Sequence, residues 1–231
     1  LAVLALSALW LALSPPAAND LIGGDEGYYG TMARNVLASP EQVVSTSLSP
    51  LGLPGDKPPL YPLLIAPFVR ALGAVPVAVR APSALCAVVV AWAVGAVVAS
   101  TAGAAGGLAA SLLLVTLPWF ADSSRAAAAE LPLTAFACLA LVCLAHEPRT
   151  RAHAAIAGVL LGLAFLCKLW LVAPAALAAA ALCAGRDRTA AGTLAVLTGT
   201  ALAVASLHLM AVAIATPQWF DHWLYIYGGR S

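Results

Sequence analysis

The chain has 231 residues, 62% of them hydrophobic and only 9% charged, with a formal net charge of +1. A soluble domain carries about 25% charged residues, so this chain lacks the polar surface to cover itself in water. No basic footprint of a nucleic-acid binder is visible, and the Ala/Leu/Val blocks lack the alternation of a membrane β-barrel. The composition points to an all-α fold, a polytopic transmembrane helical bundle, with the lipid bilayer as its first partner.

In chain order, Leu1 to Leu13 is apolar but too short to span, and Ser14-Pro15-Pro16 ends it because proline cannot continue a helix. LALSPPAA resembles a signal-peptide cleavage region. With further spans following, the truncated end of a first transmembrane helix is the better reading. The far end, Gly228-Gly229-Arg230-Ser231, follows an aromatic cluster without a closing element. Residues 1–231 therefore read as the N-terminal transmembrane part of a longer protein.

Residues 14–80 read as an extracytoplasmic loop with surface helices inside it. Five of the ten acidic residues lie here: Asp20, Asp25, Glu26, Glu41 and Asp56. Tyr29, Met32, Ala33, Val36 and Leu37 recur at helical spacing, with Arg34 and Asn35 off that face, which predicts a short helix along the membrane surface. Asp25, after Gly23-Gly24, sits where an N-cap belongs. A second short helix is predicted from Asp56-Lys57-Pro58 through Leu60, Tyr61, Leu64, Ile65 and Phe68 to Gly73, too short for a full span.

Pro82 to Ser100 and Gly103 to Pro118 read as spans joined by a tight turn. Trp119 to Ala129 is a break containing Asp122 and Arg125, with Glu130 after it, and Leu131 to Ala145 crosses back. Residues 154–184 are apolar except for Lys168 and too long for one span, so two shortish spans turning near Lys168 to Pro174 are predicted. Thr193 to Ala215 is the last complete span. The connections holding Arg149 and Arg151, and Arg186 and Arg188, fall on one side and should face the cytoplasm by the positive-inside rule. The acidic loop, the Arg125–Glu130 break, Lys168 and the terminal aromatic cluster then face outward together.

An ionisable residue in or at the end of a span is costly and marks function by default. Each candidate also has a plain structural role: Asp25 as a helix cap, Lys57 as a side chain snorkelling to headgroups, Glu130 as the partner of Arg125. Lys168, between Phe165-Leu166-Cys167 and Leu169-Trp170-Leu171, has the weakest bland explanation. The five cysteines, Cys86, Cys138, Cys143, Cys167 and Cys183, sit in apolar runs without CxxC spacing and read as packing residues.

DEGYYGTMARNVL, then GDKPPLYPLLIAPFVRALG, then RAPSALCAVVVAWAVGAVV resemble the N-terminal half of GT-C membrane glycosyltransferases. The group most similar is that of the bacterial protein O-mannosyltransferases and lipid A aminoarabinose transferases. LPWFADSSRAAAAELPLTAF and GLAFLCKLW continue the resemblance in the same order. It implies inverting transfer of a sugar from a polyprenyl-phosphate donor to a protein, lipid or glycan acceptor, on the outer face of a bacterial plasma membrane. In that frame Asp25 is the general base, Glu26 orients Asp25 or binds the acceptor, and Glu130 stands at the family's second acid and holds sugar hydroxyls or the acceptor. Lys57, Arg125 and Lys168 would neutralise charge on the departing phosphate. Asp56 matches a position that helps hold a divalent cation in some relatives; no obligatory cofactor is expected, and His222 matches a second ligand only loosely. Glu130 replaces the usual Asp, Trp170 stands where relatives have Gly after Lys, and Tyr28 replaces a frequent Arg, which leaves sugar and acceptor open.

Two other readings stand beside this one. A transporter or lipid flippase would line a pathway with Glu130 and Lys168, but transporters commonly show internal repeats and broken helices at the midplane, and no repeat is found. A non-catalytic scaffold leaves the clustered outward charges unexplained.

Overall fold

The structure, a computed structural model, describes residues 25–39, 58–145, 150–168, 173–184 and 190–215. Among these residues every regular element is a helix: α1 (Asp25–Ala38), α2 (Leu60–Leu72), α3 (Pro76–Thr116), α4 (Pro118–Arg125), α5 (Glu130–Ala145), α6 (Arg151–Cys167), α7 (Ala173–Ala184) and α8 (Ala190–Ala215). The chain is a multi-pass helical membrane protein. Residues Pro76–Thr116 and Ala191–Ala211 are each long and apolar enough to cross a bilayer, and α4 with α5 pass the same test together as a pair bent by 111°. Exposed Leu113, Leu207 and Ile214 lie on these helices, as expected where lipid replaces water as the surrounding solvent.

α1 buries Tyr29, Met32, Ala33 and Val36 as its sequence period requires, whereas Leu37 stays exposed. Arg34 is exposed on the opposite side. α2 begins at Leu60, after Pro58 and Pro59, and ends at Gly73, whose φ of 83° is open to glycine without a steric cost. At roughly 20 Å for 13 residues, α2 falls short of the hydrocarbon thickness. α1 and α2 pack on each other and on the start of α3, and their buried side chains join Ala78, Val79, Ala127 and Ala129 in one core.

α3 is two limbs. Gly103 leaves helical geometry with φ 73° and ψ 174°, and the chain folds back there. The Ser111 hydroxyl reaches the Ala91 carbonyl at 2.8 Å, twenty residues away, and Gly107 backs onto Gly95 so closely that a Cβ at either would collide. The turn between the two spans expected from the sequence therefore reduces to one glycine. At Gly95 and Gly107 the limbs approach closely because neither residue has a side chain, a common basis of helix packing where no hydrophobic force acts between helices in lipid.

The other end of the chain builds a second layer. α6 lies between α5 and α8, and α7 touches α5 and α8. Leu144, Ala154, Ala157, Leu161, Ala179 and Leu197 form its core. Thr150 caps α6 by accepting from the His153 amide, and the His153 ring accepts in return from the Thr150 amide. The break expected near Lys168 falls between the end of α6 at Cys167 and the start of α7 at Ala173. Arg149, Arg186 and Arg188 lie outside the described residues, as do the predicted first span and the terminal aromatic cluster. Arg151 is at the opposite end of α6 from Lys168.

Gly158 and Gly162 of α6 face α8 at backbone contact: a Cβ on Gly158 would strike Thr200 and the Leu197 carbonyl, and one on Gly162 would lie 2.6 Å from Val204 Cβ. Gly192 has open space around it. Gly158→Ala should cost about 1–3 kcal/mol by overpacking, while Gly192→Ala should be neutral or slightly stabilising. Denaturant titration of the detergent-solubilised protein checks the difference.

Candidate active site

The start of α1, the first turns of α3, the turn between α4 and α5, and the end of α6 meet at one end of the bundle. Glu26, in the first turn of α1, is buried. Arg80, one turn into α3, donates from Nε to Glu26 Oε1 and from Nη2 to Oε2, both at 2.9 Å. The side chains are 6% and 11% exposed. The planar guanidinium matches the two carboxylate oxygens, which a lysine could not do. Oε1 also accepts from the Ala127 amide at 2.7 Å.

Ser83 completes this arrangement one turn further along α3. Its hydroxyl accepts from the Ala128 amide at 3.1 Å, donates to the Ala128 carbonyl at 3.2 Å, and meets the Tyr61 hydroxyl at 2.6 Å. A hydroxyl has one proton to give, so with that proton on Ala128 the Tyr61 hydroxyl is the donor to Ser83. Residues 126–129 are thus held by α1 and α3 through their backbone.

That turn separates two of the residues expected to act. Arg125 ends α4; its Nε is buried and has no hydrogen-bond partner among the described residues. Glu130 opens α5 and is paired with Lys168 Nζ, which reaches it from the end of α6. The sequence left Arg125 as a structural partner for Glu130; the structure gives that place to Lys168. Both members of the Lys168–Glu130 pair are about one-third exposed (33% and 35%), so water reaches the contact and screens it.

Tyr29 lies beneath these groups, buried, edge-on to Tyr61 with ring centroids 4.7 Å apart. Burial pushes its phenol pKa well up, and the negative charges of Asp25 and Glu130 push it further. Tyr61 is raised likewise by burial, partly offset by its bond to Ser83, with Glu26 and Glu130 adding to the rise. Both rings stay neutral at physiological pH. Tyr29 thus feels both Asp25, exposed at the head of α1, and Glu130, more than a hundred residues later, whereas Tyr61 feels Glu26 and Glu130.

Of the residues singled out in the sequence, Asp25, Glu26, Arg125, Glu130 and Lys168 therefore gather at one end of the bundle. Lys57, Asp56 and His222 lie outside the described residues. Among the described residues no three His, Cys, Asp or Glu side chains are grouped to hold a metal ion. Sequence reasoning missed Arg80 and Ser83. A charged residue in VAVRAPSALC was a signal, since an arginine in an apolar run seeks a buried partner; ending the polar loop at residue 80 hid it, because α3 already starts at Pro76.

Removing one member of the buried pair leaves the other charge stranded. Glu26→Ala or Arg80→Ala should destabilise the fold by about 3–5 kcal/mol. Glu130→Gln, at the half-open pair, should cost less than about 1 kcal/mol. SDS-driven unfolding of the detergent-solubilised protein separates the two cases.

Comparison with known proteins follows from this architecture. No curated protein matches the chain by sequence. The crystal structure of ArnT from Cupriavidus metallidurans in the apo state is similar at a TM-score of 0.77 and 17% identity, over 100% of this chain and 44% of that one. The same protein bound to undecaprenyl phosphate gives 0.77 and 18% identity, over 96% of this chain and 44% of that one. The chain thus spans less than half the length of these structural relatives, and at such identity the likeness shows the fold. A sequence model described as dolichyl-phosphate-mannose-protein mannosyltransferase matches residues 56–214, well over half of the chain, and the chain belongs to that family.

Proposed function

We propose that the chain forms the transmembrane core of a glycosyltransferase that moves a sugar, with inversion, from a polyprenyl-phosphate donor to an acceptor on the outer face of a bacterial plasma membrane. The observation that carries this reading is a chain of contacts between residues remote in sequence, in a member of this family: Glu26, next to Asp25, bonds the turn that leads into Glu130, and Glu130 pairs with Lys168. Asp25 is exposed and so open to an acceptor. It takes the proton of the acceptor hydroxyl as that oxygen attacks the sugar's anomeric carbon. The bond from that carbon to the phosphate oxygen breaks on the opposite side, and negative charge grows on the leaving polyprenyl phosphate.

Arg125 and Lys168, with Lys57, neutralise that charge. An incompletely hydrogen-bonded guanidinium in a water-poor setting is well suited to this, since fixed donors act there with little screening. Glu130, in contact with Lys168, holds sugar hydroxyls where sugar and phosphate join. The binding of undecaprenyl phosphate by ArnT supports a polyprenyl-phosphate donor here. The outer-face assignment rests on Arg151 standing at the other end of α6, where a basic residue marks the cytoplasm. We assign no obligatory metal; a divalent cation, if one is used, would take Asp56 as a ligand. A transport pathway would spread its charges along the membrane depth, whereas this cluster sits at one end.

Asp25→Asn in membranes holding the full-length protein and a labelled polyprenyl-phosphate sugar should lower transfer at least about 100-fold, the typical contribution of a general base. Unchanged transfer would remove the assigned base. Absence of transfer by the native protein would remove the reaction class and favour the transport reading.

A further inference from the structure

We propose that Arg80 and Ser83, acting through Glu26 and the 126–129 turn, are positioning residues for the phosphate side of the site. They set Arg125 in the place where it receives a polyprenyl phosphate. This rests on the assignment of Arg125 to the donor phosphate in the proposed function. Neither Arg80 nor Ser83 touches the reacting atoms in that scheme.

Residues 126–129 are all alanine, so no side chain of the turn can make a polar bond. Ala126 leaves helical geometry with φ −105° and ψ 160°, and the chain swings through 111° between α4 and α5. A bend built from alanine alone has many alternatives of similar energy. Part of its backbone bonds locally: the Ala128 amide also meets the Ala126 carbonyl at 3.0 Å, and the Ala128 and Ala129 carbonyls accept from the Leu131 and Leu133 amides. What ties the bend to other helices is that Glu26 takes the Ala127 amide at 2.7 Å, and Ser83 takes both the amide and the carbonyl of Ala128 at 3.1 and 3.2 Å.

The choice of residues agrees with a positioning role. A buried ion pair is seldom more stable than a well-packed apolar pair of the same size, so stability alone does not call for Glu26 and Arg80. Geometry does. The two-pronged guanidinium fixes the rotation of the Glu26 carboxylate, and that rotation aims Oε1 at Ala127. Ser83 is 0% exposed and is itself held by the Tyr61 hydroxyl, so α2 joins the same clamp. The residues on either side of the gripped alanines are Arg125 and Glu130. Because Glu26 directly follows Asp25, the clamp also fixes the head of α1.

The test uses the full-length protein in detergent micelles, with undecaprenyl phosphate as the probe, and the variants Ser83→Ala, Arg80→Lys, Arg125→Ala and Ser83→Ala/Arg125→Ala. Two quantities are read: amide hydrogen exchange of the peptide spanning 126–129, and the Kd for the lipid. Ser83→Ala and Arg80→Lys should speed exchange in that peptide at least tenfold while other helices keep their protection. Each should weaken lipid binding about tenfold at unchanged binding stoichiometry, since small misplacements of a binding group cost this much or more. In the Arg125→Ala background, Ser83→Ala should have no further effect on Kd. Unchanged exchange overturns the clamp. Faster exchange with an unchanged Kd, or with only a smaller fraction of binding-competent protein, reduces it to a brace and overturns the positioning role. So do independent, multiplying effects of Ser83→Ala and Arg125→Ala, and so does failure of the native protein to bind the lipid. Native protein that binds the lipid yet transfers no sugar would leave this inference standing and remove the transferase reading.

Discussion

The buried contact between Glu26 and Arg80 is the constraint on which the described site depends. It ties α1 to α3, and by sharing Oε1 with Ala127 it ties both to the bend that leads into α5. The two charges sit where water is scarce, which would be costly for either alone. Mutual neutralisation and the additional amide bond offset that cost. The result is a fixed junction at a bend whose own residues, 126–129, are all alanine. Specific direction is needed there, because packing of small apolar residues is close but offers many similar registers.

The two layers of the bundle meet this need differently. In the layer made by α5, α6 and α8, glycine and alanine let backbones approach, as at Gly158 against Thr200. In the layer of α1, α2 and the start of α3, aromatic and polar side chains interlock, with Tyr29 edge-on to Tyr61 and Tyr61 bonded to Ser83. The first arrangement suits helices that must slide together in lipid. The second suits a surface cap that must present polar groups at fixed positions. Lys168 joins the layers: it ends α6 of the one and reaches Glu130 beside the other.

Much of this was legible in the residues. The lack of charge gave a membrane bundle, the period of Tyr29, Met32, Ala33 and Val36 gave the buried face of α1, and the lone Lys168 marked the break between α6 and α7. What escaped was pairing. Nothing in the spacing says that Lys168 rather than Arg125 meets Glu130, since they are 38 residues apart and brought together by the crossing of α5 and α6. Arg80 was visible as a charge in an apolar run, but its partner lies 54 residues earlier, and Glu26 was read through its neighbour Asp25, as orienting it or binding the acceptor. Leu37 fitted the apolar period and is nonetheless exposed, one residue before the end of α1.

A closely matched cation and anion cast little potential beyond their own dimensions. For all their charge, Glu26 and Arg80 are nearly silent at the distance of a bound substrate. The electric field across the described site is left to Asp25, to Arg125 and to the half-open pair of Lys168 and Glu130, two negative and two positive groups. That balance gives a gradient rather than a net attraction, a field that turns a charge more than it draws one in.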